Sequence, residues 1–226
     1  MSIAENIKNI KNIIEDDINL IAVSKTKPFK DIEEAYNAGI RNFGENKVQE
    51  LSSKMEICKH KDIRWHLIGH LQRNKVKYIV GKVYLIHSLD SVRLLNEIEK
   101  QYKSNGEIAN VLIQINIGRD GNKTGLLIED LDELISLCEK CDNVKVKGLM
   151  AIIPIGDEKQ CRKYFKEMKT LFDKLKRNTF KNIEMKYLSM GMTGDYKIAI
   201  EEGSNMVRIG EGVFGKRNYN INKEED

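Results

Sequence analysis

No apolar run in this chain of 226 residues approaches the 18 or so positions a helix needs to cross a bilayer, so no membrane association is expected. The opening segment, Met1 to Asp16, is a charged helical pattern rather than a signal peptide, which makes the cytoplasm the expected compartment. Cysteine is scarce. Cys58, Cys138, Cys141 and Cys161 lie in a chain without a secretory signal and read as free thiols. Cys138 and Cys141 have C-x-x-C spacing, but no second pair completes a zinc site. There are two prolines, and no Pro-, Gly- or Ser-rich linker divides the chain. One domain over residues 1–226 is therefore expected, with a polar tail from Lys216 to Asp226 that frays. The net charge of +4 is modest, and basic clusters such as Arg73, Lys75 and Lys77 lack the interleaved aromatics that stack bases. Nucleic-acid binding is not expected. A P-loop, a nucleophile elbow and a Ser-His-Asp pattern are also missing.

The chain does hold a sustained alternation of strand-like and helix-like segments. Ile3, Ile7, Ile10 and Ile14 form one apolar helical stripe before it begins. Strand-like runs follow near Leu20–Val23, Arg41–Phe43, Arg64–Ile68, Val83–Ile86, Val111–Ile115, Val146–Leu149, Met185–Leu188 and Asn205–Ile209. Helical stripes lie between them: Leu95, Ile98 and Tyr102; Ile128, Leu131, Leu134 and Cys138; and Cys161, Phe165, Met168, Phe172 and Leu175. Eight strands alternating with helices suggest an α/β fold, a (β/α)8 TIM barrel with an extra N-terminal helix. An open doubly wound sheet is the alternative.

In a parallel barrel the ligand sits at the C-terminal ends of the strands. Chemically versatile residues gather at those ends: Lys25, Gly44 to Asn46, Gly69 and His70, Asn116, Ser189 to Thr193, and Arg208 to Gly210. Lys25 closes the first apolar run. It reads either as a solvated strand-end lysine or as an imine-forming nucleophile with a shielded amine. Ser189 to Asp195 leaves a strand and enters a helix through two glycines and two hydroxyls, the composition of a phosphate loop or of a simple turn and cap. Arg208-Ile-Gly210 repeats the arrangement at the next strand end. Gly210 to Gly215 spells G-x-G-x-x-G, but too few residues follow for a dinucleotide-binding unit. His66 and His70 stand four apart on a strand broken by glycine, which disfavours a metal site. His66 fits a place within the barrel wall and His70 a place at the pocket.

Ala22 to Pro28, Phe43 to Asn46, Trp65 to Gln72, Ser189 to Thr193, and Val207 to Gly210 followed by Phe214-Gly215 together resemble the pyridoxal-phosphate homeostasis protein family, in the family's order and over nearly the whole chain. The resemblance implies a barrel like the N-terminal domain of alanine racemase with pyridoxal 5′-phosphate at its mouth. By that resemblance Lys25, not Lys27, carries the cofactor as an internal aldimine. Ser189, Thr193 and Gly210 hold the phosphate, and Arg208 faces the pyridine nitrogen. Asn46 and His70 line the pocket, and Lys123 matches a loop lysine linked to cofactor exchange. The run Met150-Ala-Ile-Ile153-Pro154 is one residue longer than the family's usual pattern. An arginine at the ring nitrogen disfavours ring protonation and weakens the cofactor as an electron sink. Racemisation in alanine racemase also uses a tyrosine from a second domain, for which this chain leaves little room. The expected function is binding and intracellular homeostasis of the cofactor by a monomer, with apo-enzymes as recipients. A racemase-like enzyme acting on amino acids is the alternative, and a barrel holding an unrelated phosphorylated metabolite is a remoter one.

Overall fold

The computed structural model describes residues 1–121 and 123–216. Helix α1 (Ile3–Lys11) opens with a reciprocal cap: the Ser2 Oγ accepts the Glu5 N–H at 3.2 Å, and the Glu5 carboxylate accepts the Ser2 N–H at 2.8 Å. It buries Ile3, Ile7 and Ile10 but stops at Lys11. Ile14 therefore falls outside the helix expected to include it, and Ile13 is exposed.

The strands follow in order: β1 (Asn19–Val23), β2 (Asn42–Glu45), β3 (Arg64–Leu67), β4 (Leu85–Leu89), β5 (Ala109–Ile115), β6 (Val144–Ala151), β7 (Ile183–Ser189) and β8 (Met206–Ile209). Each pairs in parallel with the next, and β8 pairs with β1 through Ile21↔Arg208 and Ala22↔Ile209. The sheet is a closed barrel, which sets the open-sheet alternative aside. Helices α2 (Phe29–Asn37), α3 (Val48–Ile57), α4 (Val92–Ser104), α5 (Leu131–Cys138), α6 (Glu158–Lys176) and α7 (Tyr196–Glu201) make return crossings, and α8 (Glu211–Phe214) follows the last strand. The β3–β4 crossing uses a 3₁₀ helix, Arg73–Tyr78. The stripe expected from Ile128 is broken, since Ile128 lies exposed in a separate 3₁₀ turn ahead of α5.

Two apolar layers hold the barrel. Outward-facing strand residues such as Phe43 and Leu67 meet the helices, including the buried α6 stripe of Cys161, Phe165, Met168, Phe172 and Leu175. Inside, Ile21, Leu85, Leu112, Met150, Tyr187 and Met206 fill the lumen, so it is a packed core rather than a pore. Strand β4 is displaced from the expected Val83–Ile86. Val83 and Tyr84 lie ahead of it, and it runs on through His87 and Ser88, which are polar yet fully buried. Among the described residues no helix is long and apolar enough to cross a membrane. The polar tail expected to fray lies, apart from Lys216, outside the described residues.

Candidate functional site

Because all eight strands are parallel, their C-terminal ends share one rim, and Lys25, Asn46, His70, Ser189, Thr193 and Gly210 all lie on it. Arg208 lies within β8, two residues before Gly210. Closure of β1 on β8 places the Lys25 end of the first strand beside the Arg208–Gly210 end of the last.

Arg208 is buried, and its guanidinium is fixed by two acceptors. Nη1 donates to the Ser189 Oγ at 2.6 Å and Nη2 to the Ala151 carbonyl at 2.9 Å. Burial lowers its pKa to about 10, eased by the Asp195 carboxylate, so it remains a cation at neutral pH. Ser189 is itself fully buried and lies 3.2 Å from the Nδ1 of His87. His87 Nε2 lies 2.9 Å from His66 Nδ1, and His66 Nε2 lies 3.3 Å from the Asn42 Oδ1. Burial pushes His66 down to about 3, with Arg64 adding to the effect, and holds His87 well below the ordinary histidine range. Both imidazoles are neutral.

Lys25 is half-buried in a tight turn from Ser24 to Lys27, closed by the Lys27 N–H on the Ser24 carbonyl at 3.0 Å. Thr26, next to it, has φ +63°, a left-handed conformation that a β-branched residue rarely adopts. Charged side chains hold this turn from the helix side of the barrel. The Thr26 N–H donates to Glu50 at 2.5 Å, and the Ser24 Oγ donates to the Glu45 Oε1 at 2.6 Å. Lys54 on α3 joins the system through the Ser24 carbonyl at 2.8 Å, Glu45 at 2.8 Å and Glu50 at 2.7 Å. Glu45 is fully buried, and its Oε2 has no hydrogen-bond partner among the described residues. Desolvation raises its pKa, while Lys54 and Ser24 counteract the rise. Lys27 is tied away from the lumen by its ammonium on the Phe214 carbonyl at 3.1 Å.

The two glycine-rich loops meet, with the Thr193 Oγ1 accepting the Gly212 N–H at 3.3 Å. Gly191, at φ +96°, lets the first loop fold onto α7, where an added Cβ would stand 2.6 Å from that of Ala199. Gly210 starts α8 beside Val23. Asn46 is half-buried, its main chain pressed against Gly69 so closely that a Cβ there would lie 2.3 Å from the Asn46 carbonyl oxygen. His70 turns outward, 51% exposed, with Nδ1 3.2 Å from the Asp90 carboxylate. Lys123 belongs to a loop held over the β5 end by Gln114, whose amide donates to the Thr124 carbonyl at 3.0 Å. The structure thus joins Ser189 to Arg208 and Thr193 to the Gly210 loop, and it leaves His70 on the outer rim.

Sequence reasoning missed His87, Lys54, Glu50 and Gln114. His87 was hidden by ending β4 at Ile86. A signal for Lys54 existed: it follows Val48 and Leu51 at intervals of three on the buried stripe of α3, a position an ordinary solvated lysine would not take.

Residues 1–218 match the alanine racemase N-terminal domain. A pyridoxal phosphate homeostasis protein of Aquifex aeolicus is 45% identical over 206 residues, covering 91% of this chain and 90% of its own. A protein of the same name from Helicobacter pylori is 40% identical over 200 residues, covering 87% of each chain. The structure of PipY from Synechococcus elongatus with pyridoxal phosphate bound superimposes with a TM-score of 0.88 at 33% identity, covering 95% of this chain and all of that one, 100%. An alanine racemase of Clostridium difficile shares the fold, with a TM-score of 0.77 at 21% identity over 97% of this chain and 57% of its own. This chain belongs to the pyridoxal phosphate homeostasis protein family, built on the alanine racemase N-terminal domain.

Proposed function

We propose that the protein binds pyridoxal 5′-phosphate at the mouth of its barrel, with Lys25 as the covalent tether, and serves in homeostasis of that cofactor. The observation that carries this reading is the pairing of β1 with β8, which sets the turn carrying Lys25 beside the end of the strand that carries Arg208. The donor set fits the group. Lys25 supplies an amine for the aldehyde, Arg208 a buried cation for the ring end, and Thr193 and the Gly210 loop donors for the phosphate end, whereas the Ser189 hydroxyl, expected at the phosphate, is instead engaged by Arg208 and His87. When bound, the cofactor supplies an aldehyde that traps amines and a ring that stabilises negative charge.

The chain's own residues bias the site toward holding rather than transforming. A guanidinium cannot give up its proton at neutral pH, so it disfavours a second positive charge on the ring. The clamp on Ser24 and Thr26 fixes the base of Lys25 while its side chain stays half-buried. Asn46 and the Lys123 loop flank the same mouth, and His70 stands at its outer edge. On this reading cofactor-requiring apo-enzymes are the recipients, and the protein acts as a cytoplasmic monomer.

Borohydride reduction followed by peptide mass analysis tests the assignment. Protein mixed with the cofactor gains a phosphopyridoxyl adduct on Lys25, and Lys25→Ala gains none there. Protein that takes up no cofactor and stays colourless overturns the reading. Deuterium exchange at Cα of a panel of amino acids addresses the enzymatic alternative, for which saturable rapid exchange is the signature.

A further inference from the structure

The hydrogen-bond chain below Arg208 has a direction, and the arginine sets it. A guanidinium only donates. The Ser189 Oγ therefore accepts from Arg208, and its single hydrogen must go elsewhere within a fully buried site. The partner in reach is His87 Nδ1 at 3.2 Å, which must then be the bare nitrogen. That puts the His87 proton on Nε2, facing His66 Nδ1 at 2.9 Å, and makes that nitrogen an acceptor in turn. The His66 proton consequently sits on Nε2 and meets the Asn42 carbonyl oxygen at 3.3 Å. Every group is satisfied in this order. In the reverse order the Ser189 hydrogen has no acceptor and a bare His66 nitrogen faces an oxygen, and a buried orphan of that kind is costly.

A pair of touching imidazoles suggests a proton wire, but this chain cannot conduct. Its upper end is a donor that is never deprotonated, and its lower end is an amide. What it can do is orient. With the Ser189 Oγ lone pair locked toward Nη1 and the Ala151 carbonyl on Nη2, the guanidinium turns its remaining N–H groups in a set direction.

We propose that His87 and His66 are positioning residues for Arg208, forming with Ser189 a one-way relay that presents the guanidinium as a fixed donor and so selects ligands whose ring offers an unprotonated nitrogen. The selectivity rests on the proposed placement of Arg208 at the cofactor's ring end, whereas the direction of the relay does not.

Two experiments separate these parts. The first uses protein without ligand, labelled with ¹⁵N-histidine. Both buried imidazoles show the Nε2–H tautomer, and a protonated Nδ1 on His87 overturns the relay. The second compares the affinity for pyridoxal 5′-phosphate with that for its analogue carrying carbon in place of the ring nitrogen. Wild-type protein prefers the natural ring. His87→Phe narrows that preference about tenfold, the loss of one well-placed charged hydrogen bond. His87→Gln, which can accept from Ser189 and donate to His66, retains it. His66→Phe, which touches neither Ser189 nor Arg208, narrows the preference less and serves if His87→Phe does not fold. A purely structural role would weaken both ligands equally and leave the ratio unchanged, which overturns the selectivity. Wild-type protein that binds neither ligand overturns the cofactor reading and the selectivity with it, while the tautomers still decide the relay.

Discussion

Set side by side, the Lys25 turn and Arg208 stand at adjoining strand ends and are held in opposite ways. The Lys25 turn is gripped from the helix side by an ionic system, Glu45–Lys54–Glu50, that bonds the Ser24 hydroxyl and carbonyl and the Thr26 N–H. Arg208 is gripped from within the lumen by neutral groups, Ser189, His87, His66 and the Ala151 carbonyl. On the proposed reading the difference suits the two roles. Lys25 would then act as a nucleophile, which requires its neutral amine. Glu45 and Glu50 of its clamp are both engaged by Lys54. Arg208 must stay charged yet free to address a ligand, and a carboxylate partner would occupy its donors. Neutral acceptors orient it without neutralising it.

The strongest way to break this comparison is to remove the tether. Lys25→Ala abolishes the covalent adduct at the rim, while non-covalent uptake through Arg208 and the Thr193 and Gly210 loops persists, as equilibrium dialysis would register. Next in size is the ionic grip. Lys54→Met leaves Glu45 buried without its cation and costs about 3–5 kcal/mol in urea unfolding. Adding Glu45→Gln to that variant recovers part of the loss, because the two residues act as one unit.

Acidity separates the two grips by sign. His66 and His87 are held neutral, with pKa values below the ordinary 6.5 and His66 at about 3. Between those limits the unfolded chain binds more protons than the folded one. The stability they confer is complete above pH 6.5 and is lost as pH falls, by up to about 1.4 kcal/mol per unit for each imidazole. Glu45 runs the other way. Its pKa is raised from 4.5, so the folded state binds the extra proton, and its contribution is lost as pH rises through the window above 4.5. The double variant His66→Gln, His87→Gln flattens the acid limb of a stability–pH curve. A limb that keeps its slope would show that the imidazoles are not its source. Smallest is Thr26→Gly, which relieves the left-handed strain at φ +63° and raises stability by about 1 kcal/mol, read as a shifted urea midpoint.

Much of the architecture was legible from periodicity alone. The α6 stripe and the near-continuous apolar run Val111–Ile115 are buried as their spacing requires. Lys25, Ser189 and Arg208 were visible because strand ends in such a fold face the ligand side. The two grips were not. Lys54 and Glu45 lie on different elements, nine residues apart, and meet only because α3 folds back over β2. His87 lies in a stretch whose polarity mimics a strand end, although burial and a partner on β7 make it a strand interior. Hydrophobic patterns reveal which face is buried. They are silent on polar groups that satisfy one another across the lumen.

The seam between β1 and β8 has a consequence in time. Lys25 follows the first strand of the barrel to be synthesised, and Arg208 and Gly210 belong to the last. On the proposed reading no growing chain can retain the cofactor, because the ring and phosphate contacts arrive only with the final strand. Capture is then a sign of finished synthesis. Once made, it fastens the two ends of the sheet that were longest apart, so a cell rich in the cofactor would hold a pool of this protein more resistant to opening at that seam.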